Sequence, residues 1–178
     1  TCREIIHETF KEHRFLCESS KLEDDEKEYC EKWCSENKFK SFDQVDVEYA
    51  LKKLSEYLRK HFEHRCFVII DEYDSICSES MFEVEEKGLH PIIKFFLTIV
   101  DKLVKNNETN VRSSFITGIS HMCTTGLGKI NNVLAFKFLQ NETFFDFYGL
   151  TLDEAEDLKI RFNLDETEFQ KAVQYYNG

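Results

Sequence analysis

Through the first sixty positions, apolar residues recur at three- and four-residue spacing, the period of a helix that hides one face. Ile5, Ile6, Phe10 and Phe15 predict a helix at the start. Tyr29, Cys30 and Trp33 predict a second, entered through the polar, acidic link ESSKLEDDEKE at 18–28. SFDQVD at 41–46 reads as a turn. Asp46 is then placed to cap a third helix whose stripe is Ala50, Leu51, Leu54, Tyr57, Leu58 and Phe62. The pattern changes at CFVII, residues 66–70, a continuous apolar run bounded by charge. It predicts a strand buried on both faces, hence parallel and central. HPIIKFFLTIVDKLVKNN returns to the helical period, while VRSSFITGIS (closed by Gly118) and NVLAFKFL predict two further strands. Thr151 with Glu154, and Asp165 with Glu168, have the capping-box spacing ahead of two C-terminal helices. Helices alternating with buried strands argue for an α/β layered domain with a helical C-terminal portion.

Composition narrows the classes. A chain of 178 residues, 42% hydrophobic and 32% charged, with seventeen Phe and one Pro, fits one soluble globular domain with a dense core. The formal net charge of −11 argues against a nucleic-acid binder, which needs a basic face. Seven scattered Cys suggest reduced thiols in an intracellular setting, cytoplasmic or nuclear, over a disulfide framework. The longest apolar candidate, Pro91 to Val104, is interrupted by lysines and an aspartate, so no membrane span is expected.

The candidate chemistry sits where CFVII runs into DEYD. In open α/β sheets, functional groups gather beyond the carboxyl ends of strands, and Asp71 and Glu72 occupy that end. Adjacent acids there suit Mg²⁺ chemistry, the first holding the metal and the second orienting a water, as in a Walker B element. The plainer reading is that they begin a solvated loop.

IIDEYDSI, then SFITGIS, INNV, FYGLTLDEAEDL and VQYYNG resemble, in that order, successive signatures of the AAA-ATPase-like domain family. Bacterial members of that family often precede a PD-(D/E)XK nuclease-like region. The resemblance runs from about residue 46 to the end. It implies a P-loop-NTPase-like layered parallel sheet with helices on both faces, 1–150 forming a partial core and 151–178 a helical segment of the same domain. It implies Mg²⁺-dependent ATP binding or hydrolysis. Asp71 would hold Mg²⁺, Glu72 would activate water, Asp74 would close the motif and support the metal, and Thr117 would take the sensor position near the γ-phosphate. Where the family has a basic residue shortly after the strand's Gly, this chain has Ser120 and His121. A phosphate loop G-x-x-x-x-G-K-[ST] is absent from the 178 residues; CTTGLGKIN, 123–131, lacks the leading Gly and the final Ser or Thr, and reads as a surface loop. Relative to the family the chain is expected to be cut at both ends. The alternative to an ATPase is a catalytically inactive, ATPase-like module that binds a protein partner.

Weaker patterns accompany this one. Asp74, Glu85 and Lys87 have a loose nuclease spacing, but EVEEKG is too polar for the strand such a site needs. Cys30 with Cys34, and His61 with His64, could each be half a zinc site, though half-buried thiols and surface imidazoles explain them as well. The acidic run Leu22 to Tyr29 reads as a solvated helix start, and TFFDFYG, 143–149, as core.

Overall fold

A computed structural model describes residues 2–75, 86–118 and 149–176, with positions 134, 136 and 144. Among these, six α-helices and two strands follow in order: α1 (Cys2–Glu12), α2 (Asp24–Cys34), α3 (Gln44–Phe62), β1 (Cys66–Ile70), α4 (Glu86–Val104), β2 (Val111–Ile116), α5 (Leu152–Arg161) and α6 (Glu166–Tyr176). Short 3-10 turns at Arg14–Glu18 and Phe39–Ser41 join the first three helices. The chain divides into two units, Thr1–Val133 and Leu134–Gly178.

In the first unit, α1, α2 and α3 wrap an aromatic core. Trp33, 0% exposed, stacks on Phe42 at 4.2 Å between ring centroids and on Phe10 at 5.6 Å. Ile6, Leu16, Leu22, Cys30, Val47, Ala50, Leu54, Tyr57 and Ile99 complete the cluster. The expected stripes of α1 and α3 do bury Ile6, Phe10, Ala50, Leu54 and Tyr57, but Ile5 and Phe62 lie at the margin and are exposed. His7 is buried inside this shell. Its Nδ1 meets the Trp33 carbonyl at 2.6 Å and its ring stacks on Phe39 at 4.2 Å, so a polar ring fits an apolar core by satisfying one nitrogen and stacking its face.

The acidic run at the start of α2 is a helix entry: Glu26 accepts from the Glu23 N–H at 3.0 Å, and Asp24, Asp25 and Glu26 stand at the positive end of the helix dipole. The cap of α3 differs from the expectation of Asp46. Asp43 is the N-cap, its carboxylate accepting from the Asp46 N–H at 2.8 Å. The reason lies beside it: Phe42 and Val47, at the N′ and N4 positions, are both buried in the core, and a staple of that kind fixes where the chain turns into the helix.

β1 and β2 pair in parallel, with Phe67 opposite Ser113, Ile69 opposite Phe115 and Ile70 opposite Ile116. The intervening helix α4 makes this a β–α–β unit. Ile93, Leu97 and Val100 of α4 pack with Tyr73, Ile70 and Ile116, covering one face of the pair. The other face is open among the described residues: Phe67 is 61% and Ile69 69% exposed. The expectation of a strand buried on both faces is thus corrected to burial on one. A continuous apolar run does not report which of its two faces a neighbour covers. The expected third strand, NVLAFKFL, lies outside the described residues except for Leu134 and Phe136, as do CTTGLGKIN and most of TFFDFYG.

A buried polar network pins the amino ends of both strands. Asn107 donates from Nδ2 to Ser55 Oγ at 3.0 Å and to the Leu103 carbonyl at 2.8 Å, and accepts on Oδ1 from Asn110 at 2.7 Å. Arg59 of α3 donates to Asn110 Oδ1 at 2.8 Å, and the Cys66 N–H donates to the Asn110 carbonyl at 2.7 Å. The turn into β2 is thereby tied to both α3 and β1. Removing a buried member strands the others, so Asn107→Ala is expected to lower stability by roughly 1–3 kcal/mol in urea denaturation. A loss below about 0.5 kcal/mol would contradict this role.

In the second unit, α5 opens on the expected capping box, with Thr151 accepting from the Glu154 N–H at 3.3 Å and Glu154 accepting from the Thr151 N–H at 2.8 Å. Asp165 and Glu168 repeat it at α6. Lys159 of α5 pairs with Glu166 of α6 and covers the Phe169 ring at 5.0 Å. No helix of the described residues is long and apolar enough to cross a membrane.

Candidate functional site

The parallel register carries both strands to a common carboxyl end. Ile70 faces Ile116, so the next residues out, Asp71 and Thr117, emerge side by side. The ladder continues one step past the strands: the Thr117 N–H donates to the Ile70 carbonyl at 2.8 Å, and the Tyr73 N–H donates to the Thr117 carbonyl at 3.0 Å. The Thr117 hydroxyl donates to Asp71 Oδ1, and the Glu72 N–H donates to the same oxygen at 3.0 Å. One carboxylate oxygen is therefore held from two directions. Asp71 and Glu72 are both exposed.

After Asp71 the chain reverses. Glu72 takes the left-handed conformation, φ +49°, which costs a non-glycine residue on the order of 1 kcal/mol. The Ser75 N–H closes the turn on the Glu72 carbonyl at 2.9 Å. The reversal turns the first two residues of DEYD outward and the next two inward: Tyr73 is buried, and Asp74 is 4% exposed. Gly118 lies directly over that inward pair. A Cβ there would fall 2.5 Å from the Tyr73 ring and 2.6 Å from Asp74 Oδ1, closer than any carbon tolerates. The Gly that ends the second strand is thus needed for close approach. Gly118→Ala is expected to destabilise by about 1–3 kcal/mol, read as a lowered Tm. An unchanged Tm would show that Tyr73 and Asp74 yield without cost.

Of the four residues singled out in the sequence, Asp71 and Thr117 are joined by a direct hydrogen bond, and Glu72 borders them on the open face. Asp74 is placed apart, behind the turn against Gly118. Two contributors were not anticipated. Asn107 and Asn110 tie down the opposite end of the strands; the helical reading carries through Asn107, whereas the helix ends at Val104 and the partners of the polar NNETN stretch include α3, distant in sequence. The nuclease spacing finds no support: Glu85 lies outside the described residues, and Lys87 is on helix α4 where a strand would be required. His61 is engaged by Ser19 at 2.8 Å and His64 by the Phe62 carbonyl at 2.8 Å.

The donor set bears on what could bind. Among the described residues no group of three or more His, Cys, Asp or Glu side chains is arranged to enclose a metal. Zinc or calcium would need such a cage. Mg²⁺ does not: it keeps several waters and takes one or two carboxylates, with phosphate oxygens completing its shell. An exposed Asp at a strand end with a hydroxyl beside it fits that habit.

A family model described as "Predicted AAA-ATPase" matches residues 2–128, more than half of the chain. The match takes in the strand-end acids, Thr117 and Gly118. It also includes the N-terminal helices, and it stops before INNV, FYGLTLDEAEDL and VQYYNG. No curated protein and no solved structure matches the chain.

Proposed function

The chain belongs to the AAA-ATPase-like family, and from that premise we propose that the carboxyl end of its parallel strand pair is a Mg²⁺-dependent ATP site. The observation that carries the reading is the Asp71–Thr117 hydrogen bond across two adjacent parallel strands, at the edge where α/β sheets gather ligands. In this reading the strand pair belongs to a P-loop-type layered sheet.

Asp71 supplies the carboxylate that takes the metal, oriented by the Thr117 hydroxyl and the Glu72 amide. Bound Mg²⁺ would offset the charge of the triphosphate, which two neighbouring acids would otherwise repel. Glu72 stands one residue further on, exposed, and is the base that accepts a proton from an attacking water. Thr117, whose hydroxyl adjoins Asp71, would supply a neutral donor to the terminal phosphate. Asp74 supports the turn from behind and is assigned the outer surroundings of the metal.

The alternative reading is a non-catalytic, ATPase-like module that docks a protein partner. Metal placement tests the first reading. Titrating the chain with Mn²⁺ should broaden the amide resonances of Asp71, Glu72 and Thr117 before others. Broadening that begins instead at the acidic entry of α2, Glu23 to Glu28, would contradict the assignment.

A further inference from the structure

Away from the strand ends, the 3-10 turn after α1 and the last turn of α2 bring two thiols into one open cavity of about 410 Å³, lined by Arg14, Cys17, Glu18, Glu31, Cys34 and Lys38. Seventeen positions apart in sequence, Cys17 and Cys34 bring their side chains together at this cavity. Cys34 also reaches the Phe10 carbonyl, Sγ to O 3.4 Å. Both are free thiols, half-buried, with the cavity as their approach from solvent. Cys30, on the same helix, is 1% exposed and does not line the cavity. We propose that Cys17 and Cys34 form a dithiol exchange site that is oxidised to an intramolecular disulfide by a small peptide disulfide entering this cavity.

The two thiols are not equivalent. Burial raises both above the usual thiol range, and Cys34 is pushed up to about 12. The contact between them favours ionisation of Cys17 and opposes that of Cys34, whose S–H is held by the Phe10 carbonyl, while Arg14 favours the thiolate at both. Cys17 is therefore the attacking sulfur and Cys34 the resolving one. The Cys17 thiolate attacks one sulfur of the incoming disulfide, whose S–S bond breaks and whose departing thiolate takes up the Cys17 proton. Cys34 then gives up its proton and attacks the Cys17 sulfur of the mixed disulfide, expelling the second small thiol, which carries that proton away. Two electrons pass from the dithiol, and one disulfide is reduced to two thiols. Arg14 and Lys38 meet the carboxylates of such a reagent, and Glu18 and Glu31 its ammonium group.

The test is oxidised glutathione on the full chain, followed by intact-mass measurement and peptide mapping under non-reducing conditions. The expected product has lost two hydrogens, carries no glutathione and yields a Cys17–Cys34 linked peptide. Cys34→Ser should instead hold one glutathione on Cys17, and Cys17→Ser should form neither the adduct in this cavity nor the link. The proposal is overturned if the unmutated chain keeps a stable adduct on Cys17, links Cys30 or Cys66 instead, or fails to react.

Discussion

Trp33→Ala is expected to destabilise the first unit by about 3–5 kcal/mol, the range for deleting a fully buried large aromatic side chain. Among the described residues Trp33 is fully enclosed, stacked between Phe42 and Phe10 with Tyr29 at its edge, so deleting its ring opens a large void at the centre of the aromatic cluster. A domain of this size has roughly 5–15 kcal/mol in total, so the loss takes a large share of it. The consequence reaches the strand ends. Val47, Ala50, Leu54 and Tyr57 tie α3 into the same core, and α3 also holds the Asn107–Asn110 network that sets the strands. Urea denaturation followed by tryptophan-independent far-ultraviolet circular dichroism should show the midpoint falling sharply. A change below about 1 kcal/mol would mean that the aromatic stack is not the core's centre.

What the sequence disclosed depended on whether the physics was local. The apolar stripe of α3, the capping pairs at Thr151 and Asp165, and the strand–helix–strand alternation all follow from spacing, and the structure has them. The cap of α3 was misplaced by three residues because SFDQVD offers two aspartates with the same chemistry. Only the burial of Phe42 and Val47 distinguishes them, although their N′ and N4 spacing was there to read. CFVII was readable as a strand but not as a one-sided one, since its partners are distant in sequence. Likewise Asp71 and Thr117 were each identifiable as strand-end residues, whereas their hydrogen bond depends on a parallel register that no local pattern encodes. The Cys17–Cys34 contact had no sequence signature, because seventeen positions on two different elements carry no motif spacing.

Asp71→Ala is expected to weaken Mg·ATP binding at least about tenfold, roughly 1.4 kcal/mol, while leaving the fold almost untouched. The carboxylate is exposed, and its hydroxyl and amide donors can turn to water, so the stability loss should stay within about 1 kcal/mol. Glu72→Gln has a different signature. It keeps size and polarity but cannot take a proton, so binding should persist while any phosphate release falls by about 10² or more. If Glu72→Gln left a measurable release unchanged, the base assignment would be wrong even with the metal site intact. Equal loss of binding in both variants would mean that the two acids share the cation.

The most direct test of the strand-end site is isothermal calorimetry of Mg·ATP with the full chain beside Asp71→Ala, each shown to be folded by its thermal transition. The account predicts saturable heat that requires Mg²⁺ and is lost or weakened at least about tenfold in the variant. No saturable heat from a well-folded chain, or identical isotherms for both proteins, would contradict it, and would leave Asp71 and Glu72 as the start of a solvated turn.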